Sequence, residues 1–158
     1  MSLDKVLSRE ELLGRARRER AAGRRLVFAN GAFDLLHAGH IRYLEGARKE
    51  GDWLAVGVNS DASVRRSKGE ARPLVPEAER AEIVAALGCA DAVTIFEEDS
   101  PADLLAALQP DVHAKGTDYT AASVPERDVV AAYGGRTTIV GDQKGHATTD
   151  LIERIRKS

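Results

Sequence analysis

Residues 25–40 read RLVFANGAFDLLHAGH, and this stretch decides the predicted fold. A β-prone run over 25–29 leads into a loop over 30–40, after which Ile41, Leu44 and Ala47 fall on one face of a helix. Strand, loop and helix in this order form the first unit of an α/β domain. In such domains, ligands bind beyond the carboxyl ends of the strands. The loop is therefore the first place to look for a site.

The alternation of strand and helix continues in both directions from this unit. Upstream, Ser8 and Glu11 have the spacing of a capping box, which predicts an N-terminal helix that ends at Gly23. Predicted strands cover 25–29, 53–58, 91–96, 111–115 and 136–140, and predicted helices follow them over 39–50, 76–87, 100–109, 124–133 and 149–157. Five strand-helix units predict an α/β doubly wound domain around a mostly parallel sheet. We assign 1–23 to a helix packed on the domain and 24–158 to the domain itself.

Composition narrows the possible partners and compartment. The chain has 158 residues, 43% of them hydrophobic, and 23 Lys and Arg against 25 Asp and Glu, which leaves a net charge of −2. With this balance the protein has no overall positive electrostatic potential that would attract nucleic acid, so any site for a polyanion must be local. The single cysteine, Cys89, cannot form an internal disulfide, and no apolar run is long enough to span a membrane. We expect a cytoplasmic protein that binds neither nucleic acid nor membranes, and whose apolar edge is compatible with a homodimer.

One stretch concentrates positive charge without helical periodicity. Residues 65–76 contain Arg65, Arg66, Lys68 and Arg72 together with two prolines. This pattern predicts an irregular basic loop, either an anion-binding element or a solvated segment with no role.

Two histidines in the loop after the first strand suggest the chemistry. The loop lacks the Gly-x-Gly-x-x-Gly spacing of dinucleotide-binding sites and the Gly-Lys-Ser/Thr of a P-loop. Instead, His37 and His40 flank Gly39 at the start of a predicted helix, where backbone N–H groups and imidazoles together present donors to an anion. Zinc binding and histidines that merely satisfy core hydrogen bonds are the alternatives. No third zinc ligand is visible locally.

These residues also resemble a known family. The pattern Gly31-x-Phe33-Asp34-x-x-His37-x-Gly39-His40 is similar to the signature of the nucleotidyltransferase superfamily of the glycerol-phosphate cytidylyltransferases and pantetheine-phosphate adenylyltransferases. Segments 58–61, 68–69, 72–73, 76–77 and 115–119, with Arg80, narrow the likeness to the D-glycero-D-manno-heptose 1-phosphate adenylyltransferases. The resemblance runs from about residue 7 to the C-terminus. It implies a Rossmann-like sheet of order 3-2-1-4-5 and a reaction of ATP with a sugar 1-phosphate that gives ADP-heptose and pyrophosphate.

The resemblance implies a role for each matching position. The catalytic residues would be His37, His40 and Lys68. The nucleotide would be bound by Asn30, Gly31, Ala32, Phe33, Gly39, Lys115, Gly116, Asp118, Thr148 and Thr149. The sugar phosphate would be bound by Asp34, Asn59, Asp61 and Arg72. The chain itself would supply no metal site, and Mg²⁺ would enter with ATP.

One segment departs from the family pattern. The family opens its last helix with Ser-Thr-Thr, whereas this chain has Ala147-Thr148-Thr149. One hydroxyl contact to the phosphates is therefore lost or replaced, with His146 and Lys144 as the candidates to replace it.

Two other functions stay open at this point. A cytidylyltransferase acting on glycerol phosphate or another small alcohol phosphate would use the same histidines. A nucleotide-binding regulatory module would bind nucleotide without turnover. Pyrophosphate release separates the regulatory module from the enzymes, and the preferred nucleotide separates the two enzymes.

Overall fold

The computed structural model describes residues 1–143 and 147–158. A 3-10 turn at Ser2–Lys5 precedes seven helices, α1 to α7, at Arg9–Ala21, Ala38–Arg48, Asp61–Lys68, Glu77–Ala85, Ala102–Leu108, Arg127–Ala132 and Thr148–Lys157. Five strands, β1 to β5, lie at Leu26–Gly31, Trp53–Asn59, Ala92–Phe96, Val112–Lys115 and Arg136–Ile139. The strands form one parallel sheet in the order β3-β2-β1-β4-β5. The predicted fold class and strand order are confirmed.

The strand order reverses between β1 and β4. β1 pairs with β2 over six residue pairs, from Leu26↔Trp53 to Gly31↔Val58. With β4 it pairs only at Val27↔Val112 and Phe28↔His113. Parallel strands whose order reverses leave a crevice beyond their carboxyl ends. The short pairing of β1 with β4 places that crevice next to the loop 30–40.

Helices bury the apolar residues of both sheet faces. On one face, α2 and α4 contribute Leu44, Ala47, Ala81, Val84 and Ala85. On the other, Leu12 and Ala16 of α1 pack with residues of α5 and α6, namely Leu104, Leu105, Leu108 and Val130. α1 begins at the predicted capping box, because the Ser8 hydroxyl accepts the Glu11 N–H and the Glu11 carboxylate accepts the Ser8 N–H. Among the helices of the described chain, none is long and apolar enough to cross a membrane.

The prediction of an irregular loop over 65–76 is wrong in its first part. Residues 61–68 form α3, which begins where the Ser60 hydroxyl accepts the Ser63 N–H. Only Ser63 and Val64 of its eight residues are buried. The sequence of this segment therefore shows no helical spacing of apolar residues. The positive charges of its last turn lie at the helix C-terminus, where the helix dipole favours them. The irregular segment begins at Gly69.

Candidate active site

A pocket of about 350 Å³ opens at the carboxyl ends of β1, β4 and β5, between the first turns of α2 and α7. Its volume lies in the range of small-molecule sites. It brings together fifteen of the seventeen predicted site residues: Asn30, Gly31, Ala32, Phe33, Asp34, His37, Gly39, His40, Lys68, Arg72, Lys115, Gly116, Asp118, Thr148 and Thr149. The two others, Asn59 and Asp61, do not line it.

His37 and His40 cap the helix that carries them. Nδ1 of His37 accepts the Gly39 N–H at 3.1 Å, and Nδ1 of His40 accepts the His37 N–H at 3.3 Å. The two rings stack with centroids 3.9 Å apart, and Phe33 packs against the His40 ring at 5.5 Å. A nitrogen that accepts an N–H carries no proton of its own. Both imidazoles therefore hold their proton on Nε2, as a donor.

The charge state of His40 follows from its surroundings. Burial, and to a lesser extent the neighbouring His37, lower the pKa of His40 to about 4. His40 is therefore a neutral imidazole at physiological pH. A neutral ring with its proton on Nε2 donates one hydrogen bond without adding a buried charge.

Asp34 joins the segment 69–76 to the histidine loop, the loop over 30–40 that carries His37 and His40. Its buried carboxylate accepts the N–H groups of Leu74 and Val75, each at 2.9 Å, and Nε–H of Arg72 at 2.7 Å. Burial raises the pKa of this carboxyl, but the two backbone N–H groups and the Arg72 guanidinium outweigh it and hold the pKa below its ordinary value. Asp34 thus reaches the pocket mainly through Arg72, whose position it sets.

Arg80 explains why the motif 58–61 lies outside the pocket. Its guanidinium is fully buried and donates to the carbonyls of Val75, Ala32 and Asn59 and to the Asp61 carboxylate. It joins the histidine loop, the end of β2, the start of α3 and the entry to α4. Asp61 takes part in this structural network through its carboxylate, which gives that residue a role independent of substrate, whereas Asn59 takes part only through its backbone carbonyl.

The opposite wall of the pocket begins at the end of β4. Lys115 is half-buried, and its Nζ lies 4.7 Å from the centre of the Tyr119 ring. Burial lowers the pKa of Lys115, and the charge of Glu126 offsets part of that effect. Nearby, the Thr117 hydroxyl donates to the carbonyl of Asp142 at 2.6 Å. A cation at the strand end therefore lines the same pocket as the two histidines.

The start of α7 completes the pocket. Ala147 is the N-cap of α7 and provides no side-chain acceptor for the first N–H groups of the helix. The Thr148 hydroxyl donates to the carbonyl of Leu35 at 3.0 Å and ties α7 to the histidine loop. His146 and Lys144, the predicted replacements for a missing hydroxyl, lie outside the described residues.

Sequence reasoning missed a group of pocket residues: Tyr43, Val140, Gly141, Asp142 and Gln143. Tyr43 follows His40 by one helical turn, so helical periodicity gave a signal for it. Its hydroxyl donates to the carbonyl of Ala114 at 2.7 Å. Gly141 has φ of +94° and passes so close to Tyr43 that a Cβ would lie 3.2 Å from the Tyr43 Cα. Only the assembled sheet reveals that close approach.

Comparisons with known proteins agree with this geometry. The protein named Bifunctional protein HldE from Pelobacter propionicus is 55% identical over 151 residues, which are 96% of this chain and 31% of that relative. The relative of the same name from Geobacter sulfurreducens is 51% identical over 98% of this chain and 31% of its own length. The chain thus spans about a third of the length of these curated relatives.

A solved structure has the same fold. The crystal structure of the lipopolysaccharide core biosynthesis protein from Thermoplasma volcanium superposes with a TM-score of 0.67 and 27% identity, covering 77% of this chain and all of that one. The family described as cytidylyltransferase-like matches residues 28–156, from the first strand to the last helix. With paired histidines at the start of α2 and a pocket beyond the sheet, the chain belongs to the cytidylyltransferase-like family of nucleotidyltransferases.

Proposed function

We propose that the chain transfers AMP from ATP to D-glycero-D-manno-heptose 1-phosphate, giving ADP-heptose and pyrophosphate. The observation that carries the transfer is the reciprocal cap of His37 and His40, two pocket-lining residues whose Nδ1 atoms accept backbone N–H groups of their own helix. The heptose acceptor is supported by the motif 115–119, which reaches the pocket, and by the likeness to a lipopolysaccharide core biosynthesis protein.

The reaction needs positioning and charge stabilisation rather than a protein nucleophile. An oxygen of the sugar 1-phosphate attacks the α-phosphorus of ATP, and the bond from that phosphorus to the β-phosphate oxygen breaks. The phosphate nucleophile is already ionised, so no general base is required. His37 and His40 donate hydrogen bonds to the phosphoryl oxygens on which charge accumulates. The N-terminus of α7, which lines the pocket, and Lys115 supply positive potential for the leaving pyrophosphate.

We propose that Mg²⁺ enters this site bound to ATP. Among residues 1–143 and 147–158, no group of three or more His, Cys, Asp or Glu side chains is arranged to hold a metal ion. Mg²⁺ commonly takes most of its ligands from nucleotide phosphates and water. Its chemistry when bound is to neutralise charge on the triphosphate. The Asp118 carboxylate in the pocket is the side chain that we propose to orient the metal's water shell.

Arg72 and Lys68 form the acceptor side of the proposed site. Both line the pocket, and Asp34 holds Arg72 through a hydrogen bond of 2.7 Å. A guanidinium fixed in this way binds a phosphate with little loss of side-chain entropy. We propose that Arg72 binds the phosphate of the sugar and that Lys68 stabilises the charge that develops at the α-phosphorus.

Turnover on a panel of substrates tests the proposal. Pyrophosphate release is measured with each of ATP, CTP, GTP and UTP against both anomers of heptose 1-phosphate, other sugar 1-phosphates and glycerol phosphate, and products are identified by mass spectrometry. We expect ATP with one heptose 1-phosphate to dominate. Preference for CTP with glycerol phosphate would replace the proposal with a cytidylyltransferase. Nucleotide binding without pyrophosphate release for any acceptor would reduce the chain to a binding module.

A further inference from the structure

His113 lies in the core but contacts a pocket residue. Its side chain is fully buried in β4, and its Nε2 lies 2.9 Å from Oδ1 of Asn30, at the end of β1. A carbonyl oxygen only accepts hydrogen bonds, so the imidazole carries its proton on Nε2 and donates it. Asn30 itself lines the pocket.

This contact stands where the strand pairing stops. Phe28↔His113 is the last residue pair between β1 and β4. Asn30 lies two residues beyond Phe28 and therefore on the same face of the sheet. Diagonal neighbours on one face are within reach of a long side chain. The hydrogen bond from His113 thus links the two strands at the point where they separate to form the crevice.

Packing alone does not account for an imidazole at this position. Among the described residues, Nδ1 of His113 has no hydrogen-bond partner, and neither has Oγ1 of Thr137, the residue paired with His113 across β4 and β5. The ring lies near Phe28, with centroids 6.0 Å apart. A buried polar ring with one unsatisfied nitrogen costs stability compared with an apolar residue of the same shape. The hydrogen bond to Asn30 is the interaction that a histidine provides at this position and that an apolar residue would not.

We propose that His113 is a positioning residue that acts through Asn30. By donating to Oδ1, the imidazole fixes which end of the Asn30 amide faces the pocket, and Nδ2 then donates to an oxygen of the bound nucleotide, on phosphate or ribose. Without His113 the amide is free to rotate, because its own side chain is only half-buried. The proposal rests on the proposed function insofar as the ligand is a nucleotide.

Four variants test this role by kinetics. His113→Phe keeps the ring and removes the donor, His113→Gln restores an N–H donor near the same place, Asn30→Ala removes the amide, and the fourth combines His113→Phe with Asn30→Ala. We expect His113→Phe to lower kcat/KM for ATP about 10-fold or more, as misplacement of a binding group does. We expect partial recovery in His113→Gln. The double variant should be no slower than Asn30→Ala alone, because the two residues act as one unit.

A matched control separates positioning from packing. Thr137→Val removes the neighbouring unpartnered hydroxyl on the same face and should leave kcat/KM unchanged. His113→Phe should melt at the same temperature as the wild-type protein or higher. A melting temperature that falls in parallel with activity, without recovery in His113→Gln, would make His113 a packing residue and overturn the proposal. So would losses in His113→Phe and Asn30→Ala that multiply in the double variant.

A second measurement tests the same inference without requiring turnover. In ¹⁵N-labelled protein, the side-chain NH₂ resonances of Asn30 are assigned from their loss in Asn30→Ala. They should shift on addition of ATP in the wild-type protein and lose that response in His113→Phe. A response that persists in His113→Phe contradicts the inference. Absence of pyrophosphate release from the wild-type protein contradicts the proposed function instead, so the two failures are distinguishable.

Discussion

At the scale of single residues, the chemistry depends on where two imidazole protons lie. Backbone N–H groups occupy Nδ1 of His37 and of His40, which leaves Nε2 of each ring as its donor. Because the pKa of His40 is lowered to about 4, this arrangement holds through the physiological range without titration of that ring.

His40→Ala tests the donor directly. Removing one preorganised donor to a developing oxyanion typically costs about 10²–10³ in turnover, and we expect a loss of kcat of that size. Single-turnover measurements of AMP transfer, with thermal melting to verify folding, provide the check. His40→Gln, whose amide nitrogen stands near the position of Nε2, should recover part of the rate. Unchanged turnover in His40→Ala would remove this histidine from the mechanism.

At the scale of elements, the position of the segment 69–76, which contributes Arg72 to the pocket, depends on one carboxylate. This segment lies between α3 and α4 and has no regular backbone pairing of its own. Asp34 supplies the missing acceptors for two of its N–H groups and for Arg72. The loop 30–40 and the segment 69–76 are therefore expected to move as one unit.

Asp34→Asn should disturb that unit without removing a large side chain. An amide at this place presents an N–H to backbone donors and leaves Arg72 without its charged partner, so we expect a loss of about 3 kcal/mol in the free energy of unfolding, as for a broken buried pair. We also expect a higher KM for the sugar phosphate. Denaturant unfolding and steady-state kinetics measure the two effects.

The control is an exposed pair in the same basic region. Arg66 donates to the Asp99 carboxylate at 2.7 Å, with both side chains at least half exposed. Asp99→Asn should cost less than about 1 kcal/mol, because exposed ion pairs contribute little. Equal costs for Asp34→Asn and Asp99→Asn would show that Asp34 does not hold the segment.

At the scale of the whole molecule, two neutral histidines, the buried His113 and the half-buried His40, make stability depend on pH. The pKa of His40 is lowered to about 4 and that of His113 to about 3, in both cases mainly by burial. In the unfolded chain both return to about 6.5. Between about pH 4 and 6.5 the unfolded state therefore binds up to two more protons than the folded state. The stability from these neutral rings is complete above pH 6.5 and is lost as the pH falls.

Urea unfolding at pH 7, 6 and 5 measures this dependence. Two protons correspond to a slope approaching about 2.7 kcal/mol per pH unit near pH 5. His113→Phe should remove about half of the contribution of these two rings, since Phe does not titrate. A free energy of unfolding that stays level from pH 7 to pH 5 in the wild-type protein would contradict the assignment of neutral rings.

The sequence predicted most of the fold and the centre of the site for local reasons. Short β-prone runs, the capping box at Ser8 and the spacing of His37 and His40 are encoded within a few neighbouring residues. α3 was missed because only Ser63 and Val64 of its eight residues turn inward. The structural role of Asn59 and Asp61 follows from the buried Arg80, whose partners are distant in sequence. The predicted homodimer and cytoplasmic location stay predictions.

The brief contact between β1 and β4 has a consequence for how this molecule can vary. Two residue pairs and the His113–Asn30 hydrogen bond join these strands, and the crevice lies where no third residue pair follows. A substitution that prolonged the ladder toward Asn30 and Lys115 would gain backbone hydrogen bonds and close the entrance for substrate. The protein therefore keeps an open binding site and has fewer backbone hydrogen bonds between β1 and β4 in return. Screens that select only for thermal stability should therefore accumulate substitutions between β1 and β4 and yield inactive proteins.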